Sequence, residues 1–192
     1  MTHPFMAATA GGLCERRIAT LRYQFPYMEN GSRRPDSPSV AQATVRAAVD
    51  AANQRCRGIA MFAGGKSFGG RMTSQAQAAA PLPSVRGLAF LGFPLHPAGK
   101  PSTTRAQHLR GVRIPMLFLQ GTRDALADID LVRQVADELG EGAALVQIPD
   151  ADHSFRVPAR TGRSNDQVLS GMLDALTNWI VQLSGGATQL GT

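Results

Sequence analysis

The sequence predicts an α/β domain: a mostly parallel sheet flanked by helices. Short apolar runs at 58–62, 87–93, 114–120 and 144–148 alternate with longer stretches of helical spacing, and such alternation joins parallel strands by right-handed crossovers. The runs are apolar throughout rather than every second residue, as expected of strands buried on both faces. A 43% hydrophobic content over 192 residues supplies one core. One domain is therefore expected over 1–184, with 185–192 as a frayed tail.

Residues 4–17 read as a helix, with Met6, Ala10, Leu13 and Cys14 at helical spacing and Pro4 suited to the first turn. A strand is expected at 18–24, and 25–36 is a loop by its Pro, Asn-Gly and charged residues. Ser37 caps and Pro38 opens a helix reaching Cys56, whose Ala/Val face can pack closely on a sheet. After the strand at 58–62 comes a glycine-rich turn, then a helix that Pro81-Leu82-Pro83 stops near residue 80. The strand at 87–93 leads through Pro94-Leu95-His96-Pro97 to a polar loop with a short helical piece at 105–110. The strand at 114–120 ends in Gly121-Thr122-Arg123-Asp124, and a helix over 129–139 ends at Gly140. The last strand, 144–148, runs into Pro149-Asp150-Ala151-Asp152-His153. The closing helix, 166–183, sets Leu169, Met172, Leu173, Leu176, Trp179, Ile180 and Leu183 on one face.

Composition narrows the classes of function. The formal net charge is +6, but the basic residues are scattered arginines, with Lys66 and Lys100 the only lysines. No recognition helix or aromatic-basic motif accompanies them, so no nucleic-acid partner is expected. No apolar run approaches the ~20 residues of a membrane span and the start lacks a secretory pattern, so a cytoplasmic protein without membrane attachment is expected. Cys14 and Cys56 lack metal-ligand spacing and are expected as reduced, partly buried thiols.

The chemistry centres on 61–74, MFAGGKSFGGRMTS. Gly65-Lys66-Ser67-Phe68-Gly69 fits G-x-S-x-G between a strand and a helix, the setting of a nucleophile elbow. The backbone passes close to the serine there, so glycine suits 65, 69 and 70. Gly-Lys-Ser also ends a phosphate-binding loop, but that motif needs glycine where Ala60 stands. A turn without chemistry is the other alternative.

In parallel sheets ligands sit beyond the carboxyl ends of the strands. Ser67, Asp124 and His153 each follow a strand, in the order nucleophile, acid, base of the α/β-hydrolases. A serine hydroxyl needs a base to take its proton, and a histidine does so well when a carboxylate fixes its tautomer. Asp128 and Asp130 are rival acids, while Asp150 and Asp152 read as turn formers. His96, ending a strand, can line an acyl pocket or merely pack; His3 and His108 carry no expected chemistry.

The sequence resembles small dienelactone-hydrolase-like α/β-hydrolases, the lidless bacterial branch related to a subunit of a eukaryotic histone-acetyltransferase complex. Pro4-Phe5-Met6, Phe25-Pro26-Tyr27, Gly64 to Arg71, Gly92 to Pro97, Gln120 to Asp124 and Asp152-His153-Ser154-Phe155 carry the likeness over nearly the whole chain. It implies a serine hydrolase of esters, thioesters or lactones, a small-molecule substrate and no cofactor or metal. By it Ser67 is the nucleophile, Asp124 the orienting acid, His153 the base and the Phe68 N–H an oxyanion donor. Leu95 and His96, following the strand after the elbow, are expected on the substrate side. A protein-binding module without catalysis is the alternative.

The family's pattern places strands and a His-Gly-Ala-Gly-type loop before the residues matching His3 to Met6, and the loop gives a second oxyanion N–H. Met1 and Thr2 stand there in this sequence. The family's sheet has a strand between those matching 18–24 and 58–62. Three expectations follow: a longer protein begun upstream, direct pairing of the two flanking strands, or a strand donated by another chain. Loss of one oxyanion donor typically lowers turnover about 10²- to 10³-fold.

Overall fold

The computed structural model describes residues 3–185. Helix α1 (Pro4–Glu15) opens the chain, followed by a single turn, α2 (Pro26–Glu29), and a long helix, α3 (Pro38–Arg55). Proline occupies the first turn of all three, where its missing N–H costs nothing. The Ser37 hydroxyl caps α3 by accepting from Val40 N–H. Strand β1 (Met61–Lys66) and helix α4 (Phe68–Ala79) flank Ser67. Strand β2 (Val85–Leu91), a 3-10 segment (Thr104–Gly111), strand β3 (Met116–Gly121), helix α5 (Ile129–Leu139), strand β4 (Ala143–Ile148) and helix α6 (Asn165–Gly185) complete the order.

All ladders are parallel, and the sheet runs β1-β2-β3-β4. Alternation along the strands divides the core in two. Leu88, Phe90, Met116 and Phe118 face α3, α4 and α5, where Val45, Met72 and Val132 are buried. Ala89, Leu91, Leu117 and Leu119 face α1 and α6, against Leu13, Met172 and Leu173. Phe90 and Phe118 meet edge to face at 4.9 Å. Burial on both faces is why β2 and β3 read as unbroken apolar runs.

Residues 18–24 are not a strand, and direct pairing with the run at 58–62, one of the three alternatives, does not form. Among the described residues β1 has a single neighbour, β2. The Phe25 ring packs edge to face on Tyr23 at 5.5 Å and on Phe68, at the start of α4, at 5.3 Å. Leu21 is left exposed.

Strand β1 lies later than 58–62, running through Gly64 and Gly65 to Lys66. These glycines belong to the strand because they let β1 approach its neighbours: a Cβ on Gly64 would lie 2.0 Å from the Ala89 carbonyl oxygen. Cys14 and Cys56 are exposed, not partly buried. Leu13 takes the inward position of α1, and Cys56 comes after α3 has ended. Of the expected tail, Gly185 closes α6 and 186–192 lie outside the described residues.

Candidate active site

Three connections at the carboxyl end of the sheet bring the reactive side chains together. Ser67 sits between β1 and α4 with φ 52° and ψ −118°, a strained turn that costs about 1–3 kcal/mol for a residue with a Cβ. Close packing holds it: a Cβ on Gly70 would stand 2.7 Å from the Gly65 carbonyl oxygen, and Ser67 N–H donates to Leu91 O at 3.2 Å. A serine before a helix ordinarily caps it, but this one makes no capping bond. Its Oγ instead lies 2.9 Å from His153 Nε2.

His153 follows β4, in a loop shaped by Asp152, whose Oδ1 accepts from Ser154 and Arg156 N–H. Its Nδ1 is 2.7 Å from Asp124 Oδ2. Gly92 leaves room for the ring, lying at φ 72° with its Cβ position 3.6 Å from the imidazole. Asp124 ends the turn after β3, and its side chain is inaccessible to solvent. Its Oδ1 accepts from Leu126 N–H at 2.8 Å and its Oδ2 also accepts from Gln120 Nε2 at 2.6 Å. These three donors, two on Oδ2 and one on Oδ1, fix the carboxylate in orientation. Asp124, His153 and Ser67 thus form one hydrogen-bonded chain ending at the open side of the sheet. Asp128 caps α5 and Asp130 pairs with Arg133, so neither rival acid meets His153.

The pattern of an alpha/beta hydrolase domain matches residues 1–181. This chain belongs to that family. Solved alpha/beta hydrolases share the fold at low sequence identity. A serine hydrolase without lid from Xanthomonas campestris is 20% identical, with a TM-score of 0.66 over 100% of this chain and 78% of its own. An alpha-beta serine hydrolase homologue from Coxiella burnetii is 17% identical, with a TM-score of 0.65 over 93% and 74%. Est1E from Butyrivibrio proteoclasticus, solved with ferulic acid bound, is 16% identical, with a TM-score of 0.70 over 95% and 84%.

Two supports of this candidate site had no assigned role in the sequence. Gln120, fully buried, accepts from Phe93 N–H at 2.9 Å while donating to Asp124. A lone polar residue closing an apolar strand is the signal that marks it. Lys66 points under the histidine loop and donates to the His153 carbonyl oxygen at 2.5 Å. Its ammonium lies between the rings of Phe5 and Phe155, 5.0 and 4.9 Å from their centroids, an arrangement that favours the cation. Burial nevertheless lowers its pKa to about 8, opposed by the charges of Asp124 and Asp152.

Leu95 and His96, expected on the substrate side, are 1% and 3% exposed. His96 Nδ1 donates to Pro97 O, and its Nε2 accepts from Asp128 N–H, both ring nitrogens being spent on backbone. It clamps the loop after β2 to the start of α5, and Leu95 fills the core beside it. A second serine–histidine contact, Ser74 Oγ to His108 Nε2 at 2.8 Å, lies within the packing of α4 on the 3-10 segment. Ser74 has no solvent access, and burial with the nearby Arg71 charge lowers the His108 pKa to about 4. This pair lacks both the access and the carboxylate that a nucleophile and base require. His3 is exposed ahead of α1. Among the described residues no helix is long and apolar enough to cross a membrane.

Proposed function

We propose that this hydrolase cleaves esters, thioesters or lactones through an acyl-enzyme on Ser67. The observation that carries the reading is the continuous bonding from Asp124 through His153 to a serine held at positive φ with no capping duty. Ser67 Oγ attacks the carbonyl carbon as His153 Nε2 takes its proton. The oxyanion that forms lies against the Phe68 N–H, one of the first-turn donors of α4 that helical bonding leaves free. Collapse returns the electron pair to the carbonyl, and the leaving alcohol or thiol receives the proton from His153. Water then attacks the acyl-enzyme with His153 again as base, releasing a carboxylic acid and restoring the Ser67 hydroxyl. Asp124 stays ionised throughout and stabilises the imidazolium. The resemblance to dienelactone-hydrolase-like proteins keeps lactones within the class, where the leaving alcohol stays tethered to the acid.

The test is labelling with a fluorophosphonate, with the adduct located by mass spectrometry and Ser67→Ala as control. An adduct at Ser67 that vanishes in the variant is the expected result. A folded chain that takes no label overturns the reading and leaves a hydrolase fold used for binding.

A further inference from the structure

The main chain of His153 hangs on one bond. Its carbonyl oxygen accepts from Lys66 Nζ at 2.5 Å, and among the described residues no other hydrogen bond reaches its backbone. The bonds around Asp152 are internal to the loop. Asp152 N–H donates to Arg156 O at 3.0 Å, Phe155 N–H donates to Asp152 O at 2.9 Å, and Asp152 Oδ1 accepts from Ser154 and Arg156 N–H. They shape the loop without fastening His153 to the sheet. Phe155 is buried within it at φ 60°, a backbone conformation that a side chain disfavours and that surrounding packing must hold.

That packing centres on the same ammonium. Phe155 stacks on Phe5, in the first turn of α1, with centroids 5.6 Å apart and planes at 14°. Lys66 Nζ stands 5.0 Å from the Phe5 centroid and 4.9 Å from that of Phe155. One cation thus joins the end of β1, the start of α1 and the loop that carries the base. Lys66 also directly precedes Ser67, whose Oγ lies 2.9 Å from His153 Nε2. Two consecutive residues therefore meet the base, Ser67 at the ring and Lys66 at the main chain.

The hold depends on charge. An ammonium bonds a carbonyl more strongly than a neutral amine does, and ring faces attract the cation. Asp124, from the turn after β3, and Asp152, from the histidine loop, also favour the cation, while burial opposes it and lowers its pKa to about 8. Other ionisable groups on the elements packed there are turned away or distant. His3, Arg123 and Arg156 are exposed, Asp150 lies 3.8 Å from Arg160, and Cys14 and Glu15 stand at the far end of α1.

We propose that Lys66 is a positioning residue for the base: its ammonium fastens the main chain of His153 to β1, so that losing the charge loosens His153 from Ser67 and slows hydrolysis. The effect on turnover rests on the serine-hydrolase reading, but the fastening can be measured without a substrate. With 4-nitrophenyl acetate, corrected for spontaneous hydrolysis, Lys66→Met should lower kcat about 10- to 100-fold with KM little changed, the order of rate lost to a misplacement of about 1 Å. In the wild-type protein kcat should fall through pH 8 towards the Lys66→Met value. Lys66→Arg keeps its charge throughout and should show no such fall.

Scaling each profile to its own value at pH 7 cancels any general loss of folding. A lysine serving stability alone would not produce this fall, because a folded pKa below the ordinary 10.5 makes stability rise over the same range. Lys66→Met turning over like the wild type, or a fall above pH 8 that persists in Lys66→Arg, overturns the proposal. If no ester is cleaved and Ser67 takes no label, the hydrolase reading fails, and hydrogen exchange of the wild-type protein then decides the fastening. Protection of the amides at 152–156 that drops about tenfold between pH 7 and 9.5, after correction for intrinsic rates, upholds it, tenfold being the order by which a charged hydrogen bond exceeds a neutral one. Unchanged protection overturns it.

Discussion

Asp124→Asn offers the sharpest test of the triad because the carboxylate's surroundings allow an amide no satisfactory orientation. Oδ2 accepts from both His153 Nδ1 and Gln120 Nε2, while Oδ1 accepts from Leu126 N–H. If the amide oxygen keeps the first position, its NH2 confronts Leu126 N–H and a buried donor is left unpaired. If the NH2 takes the first position, it confronts Gln120 and forces His153 to accept at Nδ1. The proton then moves to Nε2, which can no longer take one from Ser67. Gln120 cannot turn over to help without giving up its bond to Phe93 N–H. Either arrangement costs about 1–3 kcal/mol, lowering the melting temperature by about 2–12 °C for a domain of this size. Turnover should fall on the order of 10⁴-fold through the wrong tautomer. The assay is hydrolysis of 4-nitrophenyl acetate with thermal denaturation of the same samples, and Asp128→Asn as the rival. An Asp124→Asn protein keeping more than a tenth of the activity, or an Asp128→Asn protein losing as much, refutes the assignment.

Gly64→Ala should destabilise the protein by about 1–3 kcal/mol or more and lower activity, because its Cβ would meet the Ala89 backbone of the adjoining strand. Urea denaturation beside Gly142→Ala, which has nothing within 4 Å of its Cβ, measures the difference. Lys66 should make stability depend on alkaline pH. Its folded pKa, lowered to about 8, lies below the ordinary 10.5, so the unfolded chain holds the extra proton between the two values and stability rises with pH across that window. Relative to Lys66→Met, the wild-type protein should gain up to about 3 kcal/mol between pH 8 and 10.5. A difference between the two proteins that stays flat over that range contradicts the burial of the ammonium.

The sequence by itself determined the α/β class, because strands buried on both faces must be apolar throughout and the intervening helices must carry one apolar face. It also named Ser67, Asp124 and His153, since strand-to-helix connections in a parallel sheet emerge at one edge and reactive residues at their starts are brought together. Helix ends were legible wherever proline, serine or glycine marks them, as at Ser37-Pro38 and Gly140. Contacts distant in sequence were decided by the tertiary structure alone. The segment 18–24 has the composition of a strand, but a strand exists only where a neighbour offers a ladder, and among the described residues none pairs with this one. The glycines at 64 and 65 look like a turn until the Ala89 carbonyl shows how closely β1 must pass. His96 ends a strand as His153 does, yet one is spent on backbone and the other on Ser67 and Asp124. A side chain's chemistry depends on which partners reach it, and residues 29 and 86 positions apart, Asp124 and Ser67 from His153, become partners only when the sheet is assembled.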